Sequence, residues 1–390
     1  MTVEYRGPQT LIQAALAAGE DPAAKARTLK ALHQSWAEGT PIPGVVRPVI
    51  ARSWSRAGAI GKDIVPLDTT TIRELRESNE ELTNLVGLFK ERLLPLATQA
   101  GNQLVISDSR GYVLWVLGPL SVRRRSDGIG FVSGARWRES DVGTNGIGTA
   151  MAEKVPVQIF GPEHAREEQH TWVCTSAPVV NPATSSLVGA ITLAGSFRTA
   201  HPHSLALVSS VAREAETLLQ AQHALKLQRL ELTNELPDGE FILIDPHGSV
   251  AASRGYSVGG RISLPSGLAP GHCWIAGLGA VDAREVAGGW VLTKTRHQLR
   301  VEMSSETLRQ VMVHSERGTT QIGLSDKHWQ ILELLVAHPL GVASEQLRSL
   351  WPVSTPQVTI RAELSRLRSK LPGMIASRPY RLVVPIDRTS

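Results

Sequence analysis

The sequence predicts a multidomain α+β chain, and three observations carry that prediction. A length of 390 residues exceeds what one core usually organises, since domains run to roughly 150 residues. Helical patterns and β-rich patterns occupy successive blocks of the chain. The composition, 42% hydrophobic and 20% charged with 34 Gly and 23 Pro, is ordinary for folded domains and excludes collagenous or wholly disordered chains.

The first block is helical. The Ala-rich stretch AAKARTLKALHQSW reads as a helix, GTPIPG from Gly39 to Gly44 breaks it, and RPVIARSWSR opens another. A third helix is expected from about Thr70 to Ala100. The pattern then turns β-rich: QLVISDSRGYVLWVLG, Gln103 to Gly118, folds back at Asp108-Ser-Arg-Gly111 as a hairpin. VPVQIF (155–160) and SLVGAITLAG (186–195) read as further strands, with a long loop carrying Gly143, Gly146 and Gly148.

After His201-Pro-His the chain runs about thirty residues without Gly or Pro, with Val211, Leu218, Leu225 and Leu232 spaced at seven. This predicts one long helix and a seam suited to a parallel coiled-coil dimer, weakened at Ala215 and Gln222. EFILIDPHGSVAAS (240–253) reads strand, turn, strand, and no long helix is expected before Leu292. His272, Cys273 and Trp274 sit between glycines and read as a turn. From Gln298, LRVEMSS and LRQVMVHS suit a short β platform. Ser325 then starts a helix with Trp329, Leu332, Leu335 and Val336 on one face, stopped by Pro339 and Gly341. Ser344 to Trp351 is a second helix. Thr355 is the expected cap of a third, with Pro356 at its first position and its end at Leu371. Short strands around SRPYRLVV close the chain.

Charge is unevenly placed. The whole chain carries +5, but residues 321–390 hold nine basic against five acidic side chains, so +4 lies there and +1 in the first 320. On the third helix, Ile360, Leu364, Leu367 and Leu371 form an apolar stripe, and Val358, Arg361, Ala362, Ser365, Arg366 and Ser369 face the other way. Such a small, basic face can enter a DNA major groove, with Arg368 and Lys370 toward its rims and Arg378, Tyr380 and Arg381 placed to grip phosphates. This segment resembles the winged-helix DNA-binding domain of response-regulator type over about 298–390, on SRLRSKL and RPYRLV. The resemblance makes the third helix the recognition helix and the closing hairpin the wing, although that family usually has a Gly before the Tyr.

The stretch from Gly134 to Gly195 carries Trp137, Glu139, Gly143-Thr144-Asn145, Gly148-Thr149, Glu163-His164, His170, Cys174 and Ala177-Pro178. It is similar to the GAF-type input domain of activators of the acetoin-catabolism kind, and RPVIARSWSR matches the helical lead-in of the same proteins. The resemblance implies a GAF domain that binds a small effector. The opening of EFILIDPHGSVAAS resembles the first strands of a PAS domain.

Other chemistries are weighed and set aside. GTNGIG follows no strand directly and is not a dinucleotide fingerprint. His164, His170 and Cys174 could ligate a metal or, for Cys174, sense redox state, but a structural or effector-contacting role is the leading expectation. No acid and no oxyanion device accompanies Cys174, so no enzyme is expected. The nearest string to a P-loop, Gly58-Ala59-Ile60-Gly61-Lys62-Asp63, lacks the spacing and the Ser/Thr, so the ATPase domain usual in the resembled activators is not expected. With two cysteines, no long apolar run and no signal-like start, a cytoplasmic address is expected.

The expected layout is a lead-in (1–69), a GAF α/β sensor domain (70–200), a signalling or dimerisation helix (201–236), a small β-rich PAS-like module (237–297) and a C-terminal winged helix (298–390). The effector contacts expected are Trp137, Thr144, Asn145, His164, His170 and Cys174. The DNA contacts expected are Thr355, Val358, Arg361, Ser365, Arg366, Arg368, Lys370, Arg378, Tyr380 and Arg381. The expected partners are promoter DNA, an unidentified small-molecule effector, RNA polymerase and a second copy of the chain, with no membrane, metal or cofactor. The alternative is a GAF/PAS signalling adaptor that acts through protein contacts.

Overall fold

Asp21 opens the first helix by accepting from the backbone N–H groups of Ala23 and Ala24, which have no intrahelical partner. In the computed structural model this helix, α1, spans Pro22–Ala37, and α2 spans Pro48–Arg56. The structure describes residues 14–17, 19–40, 44–57, 64–265, 268–275, 277–294, 300–304, 309–315, 318–352, 354–371, 374–376, 379–384 and 386–388. The chain divides into two units, residues 1–222 and 223–390.

The helix expected over 70–100 is two helices, α3 (Thr69–Ser78) and α4 (Glu80–Gln99). Asn79 breaks them: its backbone leaves helical geometry at ψ 59°, and its side-chain amide donates back to the Leu75 carbonyl at 2.6 Å. Strands β1 (Asn102–Asp108) and β2 (Val113–Leu117) form the expected hairpin. Its turn is closed by Asp108 Oδ1, which accepts from the N–H groups of Arg110 and Tyr112, with Gly111 at φ 83°.

The region read as one loop holds three short helices, α5 (Leu120–Asp127), α6 (Glu139–Val142) and α7 (Gly146–Glu153). After β3 (Val157–Phe160) comes a strand the sequence did not announce, β4 (Trp172–Asn181), followed by β5 (Ser186–Ser196). The five strands form one antiparallel sheet in the order β2-β1-β5-β4-β3. On one face, Leu85, Phe89 and Leu93 of α4 and Val208, Val211 and Ala215 of the following helix pack against Leu104, Ile106, Ile191 and Leu193. On the other face, Phe131, Trp137, Val142 and Ile147 pack against Val105, Trp172, Cys174 and Ala194.

Helix α8 spans Pro202–Thr233, as long as expected, and the boundary between the units falls within it. Its heptad positions do not share one environment: Val211 is buried in the core just described, whereas Leu225 and Leu232 are 64% and 79% exposed.

The second unit begins with β6 (Phe241–Ile244), β7 (Val250–Arg254), β8 (Gly271–Ile275), β9 (Gly279–Val286) and β10 (Gly289–Lys294). His272, Cys273 and Trp274 therefore lie in a strand, β8, and not in a turn. The sheet order β7-β6-β10-β9-β8 repeats the first sheet's order strand for strand. The first hairpins also match, since Asp245 Oδ1 accepts from the N–H groups of His247 and Ser249, with Gly248 at φ 84°. No helix lies among the described residues of the β7–β8 connection.

The rest of the unit is a four-stranded sheet and a helical cluster. Strands β11 (Arg300–Ser304), β12 (Gln310–Ser315) and β13 (Gly318–Gly323) precede α9 (Asp326–Ala337), α10 (Ser344–Arg348) and α11 (Gln357–Lys370). Strands β14 (Ile375–Ala376) and β15 (Arg381–Leu382) form the closing hairpin, and β16 (Ile386–Arg388) joins β11 in parallel. Ser325 caps α9 as expected, accepting from the His328 N–H. Thr355 does not cap α11: the N-cap is Pro356, without a side-chain hydrogen bond, and the helix starts one residue later than expected. Trp329, Leu332 and Leu335 meet Ile360, Leu364, Leu367 and Leu371 in one core.

Candidate effector site and nucleic-acid interface

Several of the motifs that stand out in the sequence of the first unit converge on the lead-in. Pro48 sits at the start of α2, where its missing N–H costs nothing, and Ile50 and Trp54 bury one helical face against Ala150, Val157 and Ile159. Arg47 donates to Glu163 through Nε at 2.8 Å and Nη2 at 2.5 Å. Glu163 Oε2 also accepts from the Phe160 N–H, and the Trp54 indole donates to the Glu163 carbonyl at 3.0 Å. Ser53 donates to Glu139 at 2.5 Å and lies 2.7 Å from the Thr144 hydroxyl. Arg56 bridges Glu139 and Glu153, and the Glu139 hydrogen bond raises its pKa further, so its charge is permanent.

The glycine-rich loop is a close-packing device. Asn145 caps α7, accepting from the Gly148 N–H at 2.8 Å and donating to the Gly143 carbonyl at 2.8 Å. A Cβ on Gly146 would stand 2.4 Å from Ser176 Oγ and 2.7 Å from Cys174 Cβ, and one on Gly148 would stand 2.5 Å from the Glu139 nitrogen. Only hydrogen fits at either position. Cys174 is buried beside Gly146, and burial pushes its thiol up to about 12. Trp137 tilts on Phe131 with centroids 4.3 Å apart and donates to the Gly130 carbonyl.

Three imidazoles meet on the same flank. His164 Nδ1–H donates to the Gly161 carbonyl at 2.9 Å, leaving Nε2 buried without a partner. His170 donates to the His164 carbonyl and His33 of α1 to the Ala165 carbonyl. The His33 and His170 rings are 4.6 Å apart, and Trp36 stacks on Trp54 at 4.8 Å. Burial lowers the pKa of all three, that of His164 to about 4. Thr144, Asn145 and His170 thus direct polar atoms to the lead-in and to local backbone, His164 does so through Nδ1 alone, and Trp137 and Cys174 stand in the core beneath α5 and α7. Among the described residues no three or more His, Cys, Asp or Glu side chains gather to hold a metal ion.

The sheet face under α5 carries polar side chains that motif reading passed over. Gln103 accepts from Ser126 of α5 at 3.1 Å, and Ser176 pairs with Thr192 at 2.7 Å. Arg125 lies over the Trp172 ring at 4.8 Å. A cleft of about 300 Å³ opens after α5, between Ile64, the Gly128–Gly130 turn and Arg166, Glu168 and Gln169. The available signal was polarity at inward strand positions, where Gln103, Ser176 and Thr192 interrupt apolar runs.

In the second unit, α11 buries Ile360, Leu364 and Leu367 and exposes Val358, Arg361, Ser365 and Arg366 together, Val358 being 75% exposed. Arg366 is held by Glu363 at 2.5 Å. Lys370 donates to the Gly323 carbonyl at 2.7 Å. The Arg368 guanidinium lies 5.4 Å over Tyr380, with Nε and Nη2 buried. Tyr380 exchanges backbone hydrogen bonds with Val342, which adds a third backbone segment to the hairpin, and Arg381 is exposed. Thr355 is half-buried ahead of the helix, and Arg378 lies outside the described residues. The structure therefore gathers Val358, Arg361, Ser365 and Arg366 on one open face and turns Arg368 and Lys370 toward the protein.

Comparison with known proteins gives a family model and several relatives, of which three are described. The model, described as the MimR N-terminal domain, matches residues 27–217. An uncharacterized 47.3 kDa protein in the thcA 5' region of Rhodococcus erythropolis is 30% identical over 381 residues, covering 94% of this chain and 71% of that protein. The acetoin dehydrogenase operon transcriptional activator AcoR of Bacillus subtilis (strain 168) is 32% identical over 183 residues, 45% of this chain and 30% of AcoR. The propane 2-monooxygenase operon transcriptional activator MimR of Mycolicibacterium goodii is 24% identical over 195 residues, 50% of this chain and 33% of MimR. The match thus spans about a third of the length of the two activators.

Proposed function

The chain belongs to the family of the 47.3 kDa Rhodococcus erythropolis protein, and from that premise we propose that it is a ligand-responsive, DNA-binding transcriptional regulator. The first unit is the sensor, of GAF type, in keeping with its antiparallel sheet covered by helices on both faces and with its similarity to the input ends of named transcriptional activators. The small sheet of the second unit is a reduced PAS-like module, a reading supported by the repeated strand order. The C-terminal unit is a winged helix that binds promoter DNA without ATP hydrolysis.

The observation that carries this reading is α11. A helix held by an apolar core on one side and presenting Arg361, Ser365 and Arg366 on the other has the shape and charge for the major groove. Tyr380 and Arg381 on the hairpin beside it are the phosphate-side contacts. Leu218, Leu225 and Leu232, spaced at seven and exposed along α8, support pairing of two copies through that helix. RNA polymerase is the natural further partner of a promoter-bound regulator.

Footprinting of the full chain on its own upstream DNA across a salt series tests the proposal. A protected site whose affinity falls steeply with salt is expected. A folded chain that protects nothing at low salt would overturn DNA binding and leave the protein-contact adaptor.

A further inference from the structure

Three side chains of the C-terminal unit form a row that runs from its core to the open face of α11. His328, in the first turn of α9, is buried, and its ring makes no aligned hydrogen bond among the described residues. Glu363 of α11 places Oε2 at 3.0 Å from His328 Nε2, and its Oε1 accepts from Arg366 Nη1 at 2.5 Å. Exposure climbs along the row, the three side chains being 5%, 21% and 68% exposed. An acidic and a basic residue three apart pair on many helix surfaces, but here the second carboxylate oxygen rests against another helix. The start of that helix is itself fixed, since the Ser325 hydroxyl accepts from the His328 N–H and Lys327 donates to the Leu350 carbonyl at 2.6 Å. Glu363 is therefore not free to follow Arg366 wherever its side chain swings.

We infer that Glu363, braced by His328, positions Arg366 to read a guanine in the major groove, and that both are specificity-determining residues acting through Arg366. An arginine reads guanine with two parallel N–H groups on O6 and N7. Among the described residues Arg366 spends Nη1 on Glu363, which leaves the Nε and Nη2 edge for the base. The gain is conformational: an exposed arginine gives up many rotamers when it grips a base, and holding one of its nitrogens beforehand reduces that loss. The inference rests on the DNA-binding reading above and adds to it the base that is read and the residues that make the reading selective.

Competitive gel-shift titration of the full chain tests it, on the footprinted site and on copies with single G·C pairs exchanged for A·T. Arg366→Ala marks the pair that Arg366 reads, as the one whose exchange ceases to matter. Glu363→Ala is expected to lower the preference for that pair roughly three- to tenfold and to leave preference at the other pairs unchanged. His328→Leu should lower the same preference in the same direction, with His328→Gln in its place if the leucine variant misfolds. A loss spread over all pairs would mark a merely structural role for Glu363 and overturn the inference, as would an unchanged preference in folded Glu363→Ala. An unchanged preference in the folded His328 variant overturns the part given to His328. A parent that binds its site but discriminates no G·C pair through Arg366 overturns the inference while DNA binding stands, whereas the absence of any specific site overturns the DNA-binding reading itself.

Discussion

Arg47 and Glu163, 116 residues apart in sequence, meet as a buried two-pronged ion pair, with Glu163 only 1% exposed. Removing one partner strands the other charge away from water. Glu163→Gln is expected to cost about 3–5 kcal/mol, read as a lower denaturation midpoint of the first unit. The double variant Arg47→Met/Glu163→Leu should recover most of that loss. A single variant as stable as the parent would mean the lead-in does not stay docked in solution.

The buried histidines set a pH window. Burial, helped by the neighbouring His170, holds His164 near 4, and burial lowers His33 and His170 as well. Below about pH 6.5 the unfolded chain takes up protons that the folded one refuses, so stability is full above that pH. His164 makes it fall by about 1.4 kcal/mol per pH unit as pH drops toward 4, and His33 and His170 add to the fall in the same direction. Melting temperatures from pH 8 to 4.5 should follow this fall, and His164→Gln should flatten it. A flat profile in the parent would contradict a neutral, buried His164.

Cys174 and Cys273 should be silent toward thiol reagents in the folded chain. Burial pushes their pKa up to about 12 and about 11, which leaves almost no thiolate at pH 8. Ellman's reagent is expected to react with both only after unfolding in guanidinium. Fast reaction of one thiol in the native chain would restore a redox role for it.

Substitutions on α11 should separate by where their side chains point. Arg366→Ala on the open face is expected to lower specific DNA affinity by about 1–3 kcal/mol and relax sequence preference. Lys370→Ala, which removes a tie to β13, should act mainly on the stability of the C-terminal unit. Equal affinity of the parent and Arg366→Ala in gel-shift titration would mean that another face meets DNA.

Pairing through α8 predicts a dimer in sedimentation. Leu225→Lys/Leu232→Lys should sediment as a monomer with an unchanged circular dichroism spectrum, because both side chains are exposed in the single chain. A variant that remains dimeric would place the interface elsewhere.

Features written within a few residues were legible. Ser325 announces α9 because its hydroxyl accepts from the His328 N–H, three residues on in the first turn. The turns at Asp108 and Asp245 declare themselves because one carboxylate oxygen collects the next free N–H groups and a glycine takes the positive φ. Strand β4 was not legible, because Cys174 to Pro178 becomes a strand only through pairing with β3 and β5 on either side. The split at Asn79 depends on one backbone angle that helix propensity does not register.

The sequence alone determined the order of helical and β-rich blocks, the concentration of charge in the last 70 residues and the apolar stripe that makes α11 two-faced, since each follows from local periodicity and composition. Only the tertiary structure decided what the motifs of the first unit touch. Thr144 looks like a ligand's polar contact until Ser53 of α2 is seen to meet it, and Gln103 and Gln169 look unremarkable until burial removes their water. Both outcomes depend on which distant groups share a buried space, and short-range patterns in a chain carry no record of that.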